Sequence, residues 1–185
     1  IMNNRQEVPQ YFDEGNGKFV DLPNFPDNTS FSFLGSYKNY LVGLGTINND
    51  GYFSSEVFWS SPAAPGAVPP SWDVTIGGQA GTTTLPSNGR LIACLELGQN
   101  NIIYKSDSIW VQRFTGGEYT FEFEKLFDNV GLFTQRLVAL VEDMHVVVTT
   151  DDIIVHDGIK KRSIGHNRVS DFFFRRVNAQ YKAAF

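Results

Sequence analysis

Short runs of apolar residues separated by turn-forming residues recur along most of the chain. Residues 40–46 and 55–60 are two such runs, and the turn sequence Asn-Asn-Asp-Gly at 48–51 lies between them. Asn, Asp and Gly tolerate the positive φ angles that tight hairpin turns require. The pattern therefore predicts an antiparallel hairpin at the start of a sheet.

The same arrangement returns twice further along the chain. Residues 119–127 alternate aromatic and charged side chains, which is typical of a half-exposed strand. A short outer strand at 160–164 completes the third unit. The other predicted strands of these two units are 90–97, 101–105, 108–114, 137–141, 145–149 and 153–156.

The three units are related by spacing. Trp59, Trp110 and Ile154 hold comparable positions in the third strand of each unit, 51 and then 44 residues apart. Spacings of about 40–50 residues are typical of β-propeller blades, each a four-stranded antiparallel sheet. Because a closed ring needs about four to eight blades, the propeller would be incomplete within this chain. We therefore predict an all-β fold of consecutive four-stranded blades at about 37–73, 82–130 and 131–167.

The two ends of the chain differ from the blades. Residues 1–36 are rich in turn signals and contain one predicted short strand, at 19–22. Residues 168–185 carry apolar residues at helical spacing and predict a short C-terminal helix. The chain begins with Ile and stops within that predicted helix, so we expect it to be a fragment of a longer protein.

A proline-rich connection follows the first hairpin. Residues 62–70 contain four prolines, which exclude both a helix and a paired strand. The prolines fix their φ angles, so the connection loses little conformational entropy when it binds a partner. We expect Trp72 to anchor the connection to the body of the domain. We predict packing on a neighbouring blade or an adjacent subunit, with packing inside the chain alone as the alternative. The predicted interface residues are Pro62, Pro65, Pro69, Pro70, Trp72 and Asp73.

Composition is that of a folded protein, with 42% hydrophobic and 19% charged residues. A net charge of -5 provides no global attraction to nucleic acid or to an anionic membrane. No apolar run approaches the about 18 residues of a membrane span, and no signal peptide opens the chain. Cys94 lies in an apolar run, so we predict a small buried side chain rather than a reactive thiol.

Basic residues concentrate near the C-terminal end, where 7 of 15 fall within residues 160–182. Such asymmetry marks contact with phosphate or with an acidic partner. A solvated face or an interface between subunits is the alternative. The candidate contact residues for nucleic acid or an acidic partner are Lys160, Lys161, Arg162, Arg168, Arg175 and Arg176.

No pattern in the sequence predicts catalysis, a cofactor or a metal. Glycoside hydrolysis needs two carboxylates in a cleft, but the candidates lie mostly in predicted turns, where Asp bonds the local backbone. The histidines lie in separate elements, and the Gly-rich residues 77–81 lack the strand and helix that a phosphate loop requires. The residues considered are Asp50, Glu56, Asp107, Asp151, Asp152, Asp157, His145, His156 and His166.

Three stretches, 37–73, 103–127 and 152–169, resemble tail proteins of short-tailed bacteriophages. The most specific is residues 59–73, with the pattern Trp-Ser-x-Pro-x-x-Pro-Gly-x-Val-Pro-x-Ser-Trp-Asp. The family that the chain resembles is that of tail nozzle, or packaged-DNA stabilisation, proteins, and the resemblance extends over about residues 19–182. Members of that family are longer, which again indicates a fragment.

The resemblance implies a non-enzymatic virion structural protein that contains a propeller and forms a ring, commonly a hexamer, around a DNA channel. It implies attachment to the adaptor or portal proteins, retention of packaged DNA without sequence specificity, and synthesis in the host cytoplasm. The alternative is a carbohydrate-binding or glycan-cleaving propeller. That alternative rests on exposed aromatic residues such as Trp72, which would stack on sugar rings.

Overall fold

Antiparallel β-sheets make up almost all of the secondary structure of the chain, which confirms the predicted all-β class. The chain divides into two compact units, residues 1–91 with 114–121, and residues 92–113 with 122–185. We describe each unit by itself. This computed structural model describes residues 1–76, 79–117, 119–165, 172 and 174–176.

The first unit contains a four-stranded sheet in which each strand pairs with the next along the chain. The predicted turn at 48–51 is confirmed, and the Asn48 side chain accepts a hydrogen bond from the Asp50 N–H at 2.9 Å. A β-bulge lies between Leu44 and Thr46, where Gly45 adopts a φ of 66°, a conformation that glycine takes without strain. The strands are β3 (Ser30–Tyr37), β4 (Tyr40–Asn48), β5 (Gly51–Trp59) and β6 (Gly81–Thr84).

The first sheet extends beyond the predicted blade at 37–73 on both sides. Strand β3 lies mostly within the segment predicted as turn-rich, and β6 lies in a Gly/Thr/Ser-rich stretch without an apolar pattern. Both are edge strands of this sheet. An edge strand pairs with one neighbouring strand only. Because β6 has no apolar pattern, its backbone pairing with β5 determines this strand more than its side chains do.

A separate hairpin precedes this sheet. Its strands are β1 (Gln10–Asp13) and β2 (Lys18–Asp21), and the second confirms the short strand predicted near residues 19–22. Tyr11 packs against the apolar cluster of the unit, whereas Phe12 and Phe19 pair on the outer face with ring centroids 5.5 Å apart. The hairpin is thus anchored through one face only.

A second four-stranded sheet lies in the second unit, apart from Leu91, Phe114 and Phe121, which belong to the first. Its two central strands are almost wholly buried. Besides their apolar residues, these strands bury polar side chains, among them Asn101, Lys105 and Gln112. The strands are β7 (Leu91–Leu97), β8 (Asn100–Lys105), β9 (Ser108–Phe114) and β10 (Phe121–Asp128), all close to the predicted bounds.

The third sheet has the same up-and-down order. Its edge strands are more exposed than its centre, and all three residues of the last strand are exposed. Trp59, Trp110 and Ile154 lie in the third strand of their respective sheets, as predicted. The strands are β11 (Val138–Val141), β12 (Met144–Val148), β13 (Ile153–His156) and β14 (Lys161–Ser163).

The C-terminal helix predicted over 168–185 falls almost entirely outside the described residues, and it stays a prediction. Within the described residues the structure shows three four-stranded sheets and no closed ring of blades.

Replacing Trp110 by alanine should lower the free energy of unfolding by about 3 kcal/mol. The side chain is only 6% exposed, and its Nε1–H donates to the Ser108 hydroxyl at 3.0 Å. Urea unfolding followed by circular dichroism measures the loss, with Tyr119→Ala on an exposed side chain as the control. A loss below about 0.5 kcal/mol, the usual range for surface positions, would contradict the burial of this indole.

Candidate functional site

The proline-rich connection between β5 and β6 is closed at its base by backbone and side-chain hydrogen bonds. The Ser61 N–H donates to the Ser71 carbonyl at 2.9 Å, and the Ser71 N–H donates to the Ser61 hydroxyl at 3.0 Å. A further hydrogen bond holds the connection, because Nδ2 of Asn24 donates to the Pro70 carbonyl at 2.9 Å. Prolines have no N–H to donate, so the donors are Ser61 and Ser71 at the two ends of the proline segment and the side chain of Asn24.

Trp72 is the anchor of this connection. Its side chain is 1% exposed and belongs to an apolar cluster with Leu22, Phe31 and Phe58. The indole lies 4.9 Å from the Phe25 ring, 5.6 Å from Phe31 and 5.3 Å from Phe58, measured between centroids. The prediction that Trp72 pins the connection to the body of the domain is confirmed.

The predicted interface residues of the connection divide into two groups. Trp72 and Pro69 are buried within the chain, so their side chains do not face a partner. The burial of Trp72 also corrects the idea that its exposed ring would stack on a sugar. The exposed members are Pro62, Pro65, Pro70 and Asp73, and contact with another subunit stays a prediction for them.

Two adjoining cavities of about 460 and 390 Å³ flank Trp72 on the surface of the first unit. They share Pro26, Trp72 and Asp73 among their lining residues. Asp27 lines the first cavity and Glu56 the second, so three carboxylates border the combined space, and no lysine or arginine is among its described lining residues. We call this space the acidic groove.

Two buried polar atoms in the walls of the acidic groove have no partner within the described residues. They are Nε1 of Trp72 and Oγ1 of Thr46, and the two side chains are 1% and 3% exposed. A buried polar group without a hydrogen bond costs about 1–3 kcal/mol. On the rim, the Thr75 hydroxyl and N–H donate to Asp73 and lower the pKa of its carboxyl group. Asp73 therefore stays negatively charged.

The basic candidates lie on the third sheet and beyond it. Lys161 and Arg162 belong to β14, Lys160 directly precedes them, and all three are exposed. The Lys161 ammonium lies 5.5 Å from the centroid of the Phe127 ring, within the distance of a cation–π contact. Arg175 and Arg176 are exposed, whereas Arg168 lies outside the described residues.

A buried network of one tyrosine and two histidines joins the second and third sheets. The Tyr104 hydroxyl lies 2.6 Å from Nδ1 of His145 and 2.8 Å from Nε2 of His156. All three side chains are at most 1% exposed. The sequence places the histidines in different strands, but the register of β12 and β13 makes them direct partners. That pairing is what sequence reasoning missed.

The outer partners determine the direction of every hydrogen bond in this network. Nε2 of His145 faces the Glu96 carbonyl at 3.0 Å and must donate to it, so Nδ1 of His145 accepts from Tyr104. Nδ1 of His156 accepts from the Gly158 N–H at 3.2 Å, so Nε2 of His156 donates to the Tyr104 oxygen. Both histidines are therefore neutral, and each polar atom has a partner.

Protonation of either histidine would place two donors opposite each other and disrupt this hydrogen-bond network. A proton on Nδ1 of His156 would face the Gly158 N–H, and a proton on Nδ1 of His145 would face the Tyr104 hydroxyl. Burial lowers the pKa of both imidazoles, and the neighbouring His145 lowers the pKa of His156 further, to about 4, against a smaller opposing effect of Asp157. Burial also raises the pKa of the Tyr104 hydroxyl.

We expect the second unit to lose stability as pH falls from 6.5 towards 4. The unfolded state binds protons on His145 and His156 near pH 6.5, whereas the folded state resists protonation, so acid favours unfolding. For His156 alone, a pKa of about 4 instead of 6.5 corresponds to about 3 kcal/mol. Urea titrations at several pH values between 4 and 7.5 measure this slope.

A histidine variant tests whether the Tyr104–His145–His156 network causes this loss of stability with falling pH. His156→Gln should flatten the dependence above pH 4, because glutamine does not titrate. Asp73 and Asp157, whose pKa values the fold lowers from 3.8, add a loss of stability below about pH 5 that His156→Gln shares with the parent chain, so the difference between the two chains isolates the histidine contribution. An unchanged slope in His156→Gln would contradict the buried neutral histidine.

The acidic residues considered for catalysis serve local turns where the structure describes their bonds. Asp157 Oδ1 accepts from the N–H groups of Ile159 and Lys160, and Asp152 Oδ1 accepts from the Ile153 N–H. Cys94 is buried, and desolvation raises the pKa of its thiol to about 12. Over the described ranges no three His, Cys, Asp or Glu side chains group as metal ligands would.

Neither a protein-family model nor a curated protein matches the chain. Among the described residues, no helix has the length and apolar character to cross a membrane.

Proposed function

We propose that this chain is a non-enzymatic structural component of a bacteriophage tail, part of a nozzle or hub ring that extends the DNA channel and helps to retain packaged DNA. The observation that carries the proposal is the succession of three four-stranded up-and-down sheets with Trp59, Trp110 and Ile154 in equivalent third strands. The proline-rich pattern at 59–73, which resembles tail nozzle proteins, supports the same function.

Repeated sheets of this kind suit a ring. A single blade cannot bury both of its faces, so blades stack on one another, and blades at the ends of a chain need further partners. The described part of the chain holds three such sheets, fewer than the about four to eight of a closed propeller. We propose that further blades or subunits complete the assembly, as a homo-oligomer with six-fold symmetry attached to the adaptor or portal proteins.

The absence of enzymatic activity is part of the proposal. Its support is the use of Asp152 and Asp157 in turn hydrogen bonds and the burial of Cys94. The neutral, enclosed Tyr104–His145–His156 network has all its polar atoms paired, which suits a structural role. The protein would be made in the host cytoplasm and reside in the virion.

Sedimentation velocity on the purified chain, with electron microscopy of any assembly, tests the proposal. We expect concentration-dependent association that ends in closed rings. A monomer at every concentration would contradict the ring. Specific binding on a glycan array, or turnover of a glycan, would favour the carbohydrate-binding alternative instead.

The exposed tip of the proline-rich connection provides a second test of the ring. Replacing residues 64–67, all exposed, by a Gly-Ser linker should weaken association and leave the free energy of unfolding within about 0.5 kcal/mol of the parent chain. Sedimentation and urea unfolding of the same preparation separate the two effects. Unchanged association would show that the tip makes no contact between subunits.

A further inference from the structure

We propose that the acidic groove beside Trp72 receives the exposed basic strand β14 of a second copy of this chain. The contact is head-to-tail, because it joins a surface on the first unit of one copy to a different surface on the second unit of its neighbour. This inference rests on the proposed function, since it names the surfaces through which the ring would assemble.

The receiving surface is acidic and contains buried groups without partners. Asp27, Glu56 and Asp73 border the groove, and the lowered pKa of Asp73 keeps that carboxylate charged. Thr46 and Trp72 each leave a buried polar atom unsatisfied in its wall. Both atoms are covered in this structure, so docking must shift the two side chains before the N–H and C=O groups of an incoming strand can pair with them.

The inserted element is basic and forms the edge of its sheet. β14 is the last strand in its sheet, and Lys160, Lys161 and Arg162 are all exposed. Neither of the two ion pairs found in the described residues, Arg113–Glu124 and Lys125–Asp128, involves these three. An edge strand also offers backbone groups for pairing with another chain.

The charges of the two surfaces are complementary. Residues 1–91, which include the whole groove, contain eight acidic and four basic residues, whereas residues 160–182 contain seven basic residues and one acidic residue. Opposite charges on separate patches favour contact between copies and fix its register. Because the two patches differ, the contact repeats from copy to copy and generates a closed ring or an open filament rather than an isolated dimer.

Charge reversal on the full chain tests the contact. The groove variant carries Asp27→Lys and Asp73→Lys, and the strand variant carries Lys160→Glu and Arg162→Glu, all at exposed positions. Each variant alone should associate on the order of a hundredfold more weakly than the parent chain, because like charges then meet across the contact. Sedimentation velocity at low salt measures the association.

Mixing the two variants is the decisive measurement. The reversed groove of one variant matches the reversed strand of the other, so an equimolar mixture should recover assembly with alternating subunits. Glu14→Lys with Glu122→Lys is the matched control, since it changes the net charge equally at exposed positions outside the groove and should leave association unchanged. Asp27→Asn with Asp73→Asn removes both negative charges, keeps an oxygen acceptor for Thr75 at position 73, and should weaken association about tenfold.

Each outcome decides the inference. Loss in both variants with recovery in the mixture supports it. Association of the parent chain that neither variant alters overturns it and leaves the proposed ring to another surface. A strand variant that loses binding to a DNA duplex but not self-association also overturns it, because β14 would then be a phosphate contact. A parent chain that stays monomeric overturns both this contact and the proposed ring.

Discussion

Replacing Trp72 by alanine should lower the free energy of unfolding by about 4–5 kcal/mol, the upper part of the range for large aromatic side chains in a core. The indole is 1% exposed and contacts the rings of Phe25, Phe31 and Phe58, so its removal leaves a cavity in the centre of the apolar cluster. It also frees the proline-rich connection from the body of the first unit. Urea unfolding followed by circular dichroism measures the change without relying on tryptophan fluorescence.

Phenylalanine at position 72 distinguishes apolar packing from hydrogen bonding. The Nε1–H of Trp72 has no partner among the described residues, so Trp72→Phe sacrifices no hydrogen bond and should cost much less than Trp72→Ala. Pro65→Ala, at an exposed position of the same connection, is the control and should stay within about 0.5 kcal/mol. Equal losses in the alanine and phenylalanine variants would mean that the indole N–H is bonded after all.

Gly131→Ala should destabilise the second unit by about 3 kcal/mol or more. A Cβ atom at position 131 would lie 2.2 Å from the carbonyl carbon of Ser106 and 2.5 Å from the amide nitrogen of Asp107. The obstacle is backbone, which cannot rotate away as a side chain does. The flanking residues hold this approach in place, because the Val130 N–H donates to the Asp107 carbonyl and the Leu132 N–H donates to the Lys105 carbonyl.

Thermal and urea unfolding of Gly131→Ala against Gly117→Ala provides the comparison. An added Cβ at Gly117 meets no atom of the described chain within 4 Å, and the φ of Gly117 lies outside the left-handed range. This variant should therefore fold as well as the parent chain. Similar stabilities for the two alanine variants would mean that the segment at 130–132 does not lie against the β8–β9 turn.

The burial of Trp72 changes how the proline-rich connection is interpreted. Its sequence suggests a contact surface, but its aromatic residue belongs to the core, and only the tip and rim remain available to a partner. The charged rim residue Asp73 joins Asp27 and Glu56 around the acidic groove. Because Trp72 fixes the connection beside the acidic groove, the groove is favoured as a pre-organised docking site. Such a site loses little conformational entropy on binding.

Strong local signals in the sequence determined most of the strands. Asn-Asn-Asp-Gly between two apolar runs predicts the β4–β5 hairpin, and the alternating pattern of 119–127 predicts β10, because turn chemistry and side-chain alternation act within a few neighbouring residues. The third-strand positions of Trp59, Trp110 and Ile154 follow from the same spacing.

Features that depend on distant residues were decided by the tertiary structure alone. Strand β6, without an apolar pattern, is a strand because β5 offers it a backbone edge. His145 and His156 become neutral partners because the β12–β13 register aligns them beneath Tyr104, and Trp72 gathers with Phe25, Phe31 and Phe58 from three separate segments. Register, burial and the carboxylates of the acidic groove arise from long-range packing, which local sequence patterns do not encode.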